Sequence, residues 1–406
     1  MTAVELDDSF ENFNFDYSIA GDVRDPYPAL AKAREQTPVL RTENPVDPAF
    51  PPVFYIYRHA DVVRMFKDNA TFSSSNLRET MGPAMGEHII LGMDEPEHRR
   101  HRALVSTAFR QRALARWEDT LVRRVVDELI DGFVADGRAD LVHSYTALFP
   151  SKVVSGVLGL PTEDFRQFQR WAIAIISLHT NWDRGVQAGE ELKQYLAKIL
   201  EERRLHPAED MISDLATAEL DGERLDDEEI FSFLRLLLPA GVETTFRSSG
   251  NLLYLLLTHP DQLEAVKADR SLLPQAIEEG LRFEPPLLLT SRIALSDTEI
   301  GGVPIPAGAS LTPMLGSANR DSDVFERPDD FDIFRPQTQH LSFAHGVHVC
   351  IGMHLARLET RVAMDALFDR LPGLRLDTER AARDDSHIHG EIFRSPTSLP
   401  VVWDKV

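Results

Sequence analysis

Cys350 is the only cysteine in a chain of 406 residues. It lies in LSFAHGVHVCIGMHLARLE, between Gly346 and Gly352 and two residues after His348, at the mouth of a predicted helix. A thiol so placed can be a small apolar filler, a nucleophile or a metal ligand, and its neighbours discriminate. Glycine lets a backbone turn sharply or lie close to a flat ligand. The amides and dipole of the helix that follows favour a thiolate, and His348 is suited to donate to an anion. Zinc would need three or four such ligands, and no second cysteine exists to help. A single axial thiolate is what one kind of haem site requires.

A second constellation lies in LRLLLPAGVETTFRSS. Inside a helix, Pro239 removes a backbone hydrogen bond and costs roughly 3 kcal/mol. Gly241 weakens the same turn by roughly 1 kcal/mol. Two breakers side by side predict either a widened turn that frees a carbonyl near Ala240 or a kink made for packing. Directly after them stand an acid and an alcohol, Glu243 and Thr244, types that can pass protons.

These residues need elements to hold them. Apolar residues at three- and four-residue spacing predict helices in DPYPALAKAREQ, HADVVRMFKD, Ala115 to Phe133, DFRQFQRWAIAIISL and AGEELKQYLAKILEERR. They also predict a long helix over Asp226 to Thr258 and others from Pro260 to Lys267, Leu272 to Phe283 and Cys350 or Ile351 to about Leu371. Strands are fewer: PVFYIY, a hairpin-like pair in SRIALSDTEIGGVPIPAGASLTPM, and SLPVVW. The fold class is mainly α with small β-sheets (α+β). No linker, repeat or low-complexity tract divides the chain, so residues 1–406 read as one large domain.

Composition sets further bounds. One cysteine cannot form an internal disulfide, which suits a reducing compartment, the cytoplasm. The opening MTAVELDDSFENFNFDYS resembles neither a secretory signal nor an anchor. Apolar runs such as NLLYLLLTHP fall short of the roughly 20 residues that span a bilayer. A formal charge of −22 argues against nucleic acid. Against that background, HRRHRALVSTAFRQRALARWEDTLVRR is rich in arginine; it is either a solvated helix face or a dock for an acidic partner protein.

FAHGVHVCIG, Phe343 to Gly352, resembles the haem-binding signature F-x-x-G-x-[HR]-x-C-x-G of the cytochrome P450 family. The resemblance extends from DPYPALAKAREQ to the last strand and implies that family's fold, a triangular helical prism around thiolate-ligated haem b. By it, Cys350 is the iron ligand, Phe343 packs beside the sulfur, Gly346 shapes the loop, and His348 binds a haem propionate. His98 and Arg102 in DEPEHRRHRALV, with Arg292 in TSRIALSD, match the family's other propionate ligands. Ala240 and Gly241 mark the widened turn that admits dioxygen, and Glu243 and Thr244 the proton relay. Glu279 and Arg282 in AIEEGLRFEPP match the structural Glu-x-x-Arg pair, and Arg335 its third partner.

The activity so implied is monooxygenation. Dioxygen is activated with electrons from an external acidic ferredoxin and its reductase, and a small, mostly apolar substrate is hydroxylated or epoxidised. Pocket candidates are Leu236, Leu289, Thr290, Ile392 and Phe393, within wider segments that include Asn76 to Ile90 and Trp171 to Trp182. The ferredoxin dock is expected at Arg99, Arg100, Arg110 and Arg112, with Arg99 and Arg100 turned outward. Arg394 is followed by Ser395 and Pro396 where the family often has Arg-Gly, which leaves the shape of the last hairpin open. A peroxide-driven enzyme of this fold typically lacks the acid–alcohol pair, and a non-catalytic haem sensor would need neither relay nor dock.

Overall fold

A computed structural model describes residues 21–45, 50–161, 164–178 and 181–405. The acidic opening segment and His179–Thr180 of the second pocket segment lie outside the described residues. The helices that position the site are α1 (Tyr27–Gln36), α2 (His59–Lys67), α3 (Asn76–Met85), α4 (Glu97–Val105), α5 (Phe149–Val157), α6 (Phe165–Ile176), α7 (Trp182–Leu205), α8 (Asp227–Thr258), α9 (Leu273–Phe283) and α10 (Met353–Arg370).

The 32-residue α8 is the axis of the molecule. Its start is fixed by a capping box: Asp226 accepts from the Glu229 N–H, and the Glu229 carboxylate accepts from the Asp226 N–H. Residues 229–239 are buried on every face, which a helix achieves only when neighbours surround it. Along the length of α8, neighbours come from α3, α5, α6, α7, α9 and α10. The α7 helix comes close to α3 at Gly189, where a Cβ would sit 2.0 Å from the Ala84 carbonyl oxygen.

To one side lies a five-stranded sheet of β1 (Val39–Thr42), β2 (Val53–Ile56), β3 (Phe72–Ser73), β4 (Arg292–Ala294) and β5 (Ser310–Pro313), in the order β1-β2-β5-β4-β3. Only β2 and β5 run parallel, with Leu311 opposite Phe54. The inward residues Phe54, Ile56, Phe72 and Leu311 build a second core with Val62, Met65 and Phe66 of α2. Near the end, β6 (Ile388–His389) pairs with β7 (Ser395–Pro396) as a hairpin. No helix among the described residues is long and apolar enough to cross a membrane.

Several expectations need correction. The helix expected over Ala115 to Phe133 is helical without a break from Gln111 to Asp131, with a π-helical turn at Glu118–Val122. The final long helix starts at Met353, with Gly352 as its cap, so Cys350 precedes it rather than opening it. The segment from Ser291 to Met314 holds four strands instead of two: β4 and β5 join the large sheet, and Thr298–Ile300 pairs with Val303–Ile305 between them. The expected pocket segment Asn76 to Ile90 opens with a helix, α3, whose apolar pattern Gly82 and Pro83 interrupt.

Candidate active site

Cys350 and Ala240 are both left uncovered, as residues facing a bound group must be before it is present. Cys350 is exposed. So is Ala240, at the middle of α8 and directly after eleven consecutive buried residues, with Gly241 and Thr244 half-covered on the same stretch. Between the helices that carry these groups, Phe343 shares a small void with Ser248 and Leu252 of α8, Ile277 and Leu281 of α9, and Ala356 and Arg357 of α10.

The cysteine loop is tied in place through its backbone. The Cys350 N–H donates to the Phe343 carbonyl at 2.9 Å. Gly346 has φ +73°, and a Cβ there would lie 2.1 Å from the Phe66 carbonyl oxygen, so only glycine fits. Although its side chain is uncovered, the surrounding protein desolvates the Cys350 thiol and pushes it up; the Gly352 N–H, the Arg102 and Arg357 guanidinium groups and the Met353 N–H pull the other way, toward the thiolate. Arg357 also lies over the Phe343 ring, 4.5 Å from its centre.

Beside the loop the fold collects four basic groups: His98 and Arg102 from α4, Arg292 from β4 and His348 from the cysteine loop. The His98 and His348 rings lie 4.2 Å apart. Burial, then His98, Arg292 and Arg102, hold the His348 imidazole down to about 3. Burial, with partial relief from Asp94, lowers Arg292 to about 10. Burial and then Arg102 also lower His98. Both His98 nitrogens and Nε2 of His348 are buried without a hydrogen-bond partner. Arg102 donates to the Val349 carbonyl at 2.7 Å, and Arg292 to that of Ser291, also at 2.7 Å. Basic groups that penalise one another's charge, with orphaned ring nitrogens and Glu95 as the carboxylate near His98 at 3.7 Å, suit a bound anion. The two carboxylates of a haem fit that demand.

On the α8 side the prediction and the structure part. The helix is unbroken through Pro239 and Gly241, and the widened turn expected near Ala240 is not there. The Thr244 hydroxyl donates to the Ala240 carbonyl at 2.7 Å, which provides a local partner for that oxygen. Glu243 is buried, not solvent-facing, because Arg247 one turn on clasps it: Nε donates to Oε1 at 2.8 Å, and Nη2 bonds the same oxygen. Arg247 also donates to the Ser395 hydroxyl of β7 at 3.0 Å. The i,i+4 spacing from Glu243 was the available signal for Arg247, and the reading passed over it.

The scaffold residues meet. Arg282 forks onto both oxygens of Glu279 at 2.7 and 2.8 Å, and Arg335 reaches Oε1 at 3.3 Å. Of the pocket candidates, Leu236 is buried on α8. Leu289 bridges to Met314, Phe393 bridges to Leu287, the Thr290 N–H donates to Pro313, and the Ile392 carbonyl accepts from Leu288. The last hairpin is closed by Arg394, which is fully buried; it bonds Glu284 and the carbonyls of Val23, Arg24 and Gly390. Sequence reading missed that role.

The expected dock is partly corrected. Arg99 is 81% exposed beside Glu95, and Arg110 and Arg112 are exposed. Arg100 turns inward instead, to Glu229 at 2.7 Å and Glu223 at 3.3 Å.

Comparison with known proteins agrees with this architecture. Residues 152–372 match the family model for cytochrome P450. The cytochrome P450 monooxygenase PikC of Streptomyces venezuelae is 38% identical over 386 residues, covering 93% of this chain and 91% of its own. The vitamin D(3) 25-hydroxylase of Pseudonocardia autotrophica is 35% identical, covering 93% and 94%. The solved structure of the bacillaene polyketide synthase cytochrome P450 PksS from Bacillus subtilis 168 superposes with a TM-score of 0.86 at 33% identity, over 94% of this chain and 97% of that one. The chain belongs to the cytochrome P450 family. It is a bacterial-type haem-thiolate monooxygenase with protoporphyrin IX haem as cofactor, and its family uses dioxygen, redox partners and organic substrates.

Proposed function

We propose that Cys350 is the iron ligand, that His98, Arg102, Arg292 and His348 hold the haem carboxylates, and that Glu243 and Thr244 deliver protons to dioxygen. The substrate is a small, mostly apolar organic molecule, hydroxylated or epoxidised with electrons from an acidic ferredoxin. The observation that carries this reading is the uncovered Cys350 beside four convergent basic groups, of which His98 and Arg292 are buried and His98 and His348 hold orphaned ring nitrogens. Bound there, haem supplies thiolate-assisted activation of dioxygen.

The chain's own residues do the rest. The Gly352 and Met353 amides with Arg102 and Arg357 favour the charged sulfur. The Thr244 hydroxyl donates to Ala240 and keeps oxygen lone pairs with which to accept from a water. Arg247 pairs with Glu243 one residue away, and the carboxylate must turn from the guanidinium to exchange a proton. Leu236, Leu289, Thr290, Ile392 and Phe393 offer the substrate an apolar wall with one hydroxyl. Arg99, Arg110 and Arg112 offer a ferredoxin an exposed basic surface.

Replacement of the ligand tests the reading. Cys350→His is expected to retain the fold but lose the red-shifted absorption that carbon monoxide gives with thiolate-ligated iron. Persistence of that absorption means that another residue holds the metal.

A further inference from the structure

Away from the haem cleft, three potential ligands converge where the loop after α3 meets the start of α8. His88 lies in that loop, His101 on α4 and Glu229 in the first turn of α8. One ligand atom from each lies within 4.8 Å of the others. The two imidazole planes are nearly parallel, 10° apart, with centres 6.1 Å apart.

The bonding around His101 is informative. Its Nδ1 lies 3.2 Å from the Glu97 carbonyl oxygen, which can only accept, so Nδ1 carries the hydrogen. In the neutral ring, Nε2 then presents a lone pair, and it faces Glu229 Oε1 at 2.9 Å. No hydrogen bond satisfies that buried nitrogen. Two electron-pair donors pointed at each other call for an electron-pair acceptor.

The outer partners match those of metal sites, where ligating imidazoles donate to carbonyls and ligating carboxylates are themselves hydrogen-bonded. Glu229 accepts from Arg100 at 2.7 Å through Oε1 and from the Asp226 N–H at 2.8 Å through Oε2, which fixes its plane. Glu97 lies 4.0 Å from His88, and Glu223 bonds the outer side of Arg100, so carboxylates offset the guanidinium beside the site.

We propose that His88, His101 and Glu229 form a binding site for a zinc-type divalent cation that pins the loop after α3 to the first turn of α8. Two imidazoles, one carboxylate and a water complete the tetrahedral set that such an ion prefers. At bond lengths of about 2.0–2.2 Å the ligand atoms lie roughly 3.3 Å apart. His88, partly exposed in its loop, therefore moves inward by on the order of 1 Å. Bound metal stabilises the closed arrangement by mass action and makes loop mobility dependent on free zinc.

The test uses chelator-treated, haem-loaded protein dialysed against zinc chloride at neutral pH, with metal analysis and thermal unfolding with and without the ion. One zinc per chain is expected, with a raised unfolding midpoint. His88→Ala is expected to weaken binding by about tenfold or more and to abolish the midpoint shift; Glu229→Gln gives the same loss from the other side. No stoichiometric zinc overturns the proposal in favour of a proton shared between His101 and Glu229, as does zinc bound equally by His88→Ala. The haem spectrum, recorded in parallel, reports on the active-site reading separately.

Discussion

Two buried ion pairs, each formed within one helix, do different work. Glu279–Arg282 on α9 is spaced three apart and Glu243–Arg247 on α8 four apart. Around the first, Arg282 also bonds the carbonyls of Asn319, Pro328 and Asp330, while the Asp332 N–H and Arg335 bond Glu279. The pair clamps a loop of irregular backbone that Arg335 and Gln262 also hold. Around the second, the company is Ser395 and the rings of Phe246 and Phe393, and Thr244 stands next to it on the side open to the cleft. A charge enclosed by backbone is a strut. A carboxylate clasped by a guanidinium on its own helix, next to Thr244, is placed to be released.

The sharpest break between them is expected in folding. Arg282→Ala leaves the buried Glu279 with only the Asp332 N–H and Arg335 and takes a donor from the carbonyls of Asn319, Pro328 and Asp330, the last of which keeps Arg335. Loss of one partner from a buried pair costs about 3–5 kcal/mol, enough to leave little haem-loaded protein. Yield and urea unfolding check this, and near-normal stability of Arg282→Ala would remove the structural role given to the pair.

The opposite signature is expected at the second pair. Glu243→Gln preserves shape and keeps a carbonyl for Arg247, so the haem-loaded fold survives. Product formation is expected to fall by about 100-fold, at the lower end of what general-acid delivery contributes, and consumed electrons are diverted to peroxide. Rates, peroxide yield and the solvent isotope effect are the measurements. Unchanged turnover would make Glu243–Arg247 a second strut.

How far the sequence reading reached follows the same division. Cys350, Glu279 and Arg282 were legible because each belongs to a short pattern whose spacing is set by one loop or one helical turn. Their partners came from remote segments: the carbonyls of Asn319, Pro328 and Asp330 depend on how an irregular loop is laid down, which periodicity does not encode. Most helices were visible because one-sided apolar spacing is strong. The α3 helix was hidden by Gly82 and Pro83, and its existence rests on packing against α7 and α8, a tertiary effect. Pro239 misled in the other direction. Neighbours on every side of α8 carry its local cost, so no widened turn forms.

A third group, the half-buried His348, differs from both pairs in being unbalanced, and pH exposes the difference. His348 is lowered from 6.5 to about 3 in the fold without an anion, with burial as the main cause. A lowered imidazole means that the unfolded chain binds the proton first. Stability of haem-depleted protein is therefore expected to fall as pH drops from the ordinary value of 6.5 toward about 3. Haem carboxylates reverse the local field and raise the imidazole, so the haem-loaded protein is expected to lose less over that range. Parallel denaturant titrations at pH 7 and 5 check it, and equal slopes for the two forms would count against a propionate at His348.

The smallest effect is expected where charge meets solvent. Arg112 is exposed, and surface substitutions of this kind stay within about 0.5 kcal/mol in stability. Arg112→Glu is therefore expected to leave folding and haem binding unchanged. If the basic surface receives an acidic ferredoxin, the same substitution slows electron transfer at low salt, and the difference from wild type shrinks as salt is raised. Arg100→Gln serves as the contrast, because Arg100 is committed to Glu223 and Glu229 and its loss acts on the start of α8 instead of on docking. A ferredoxin reduction rate that ignores Arg112 at every ionic strength would move the dock elsewhere on the molecule.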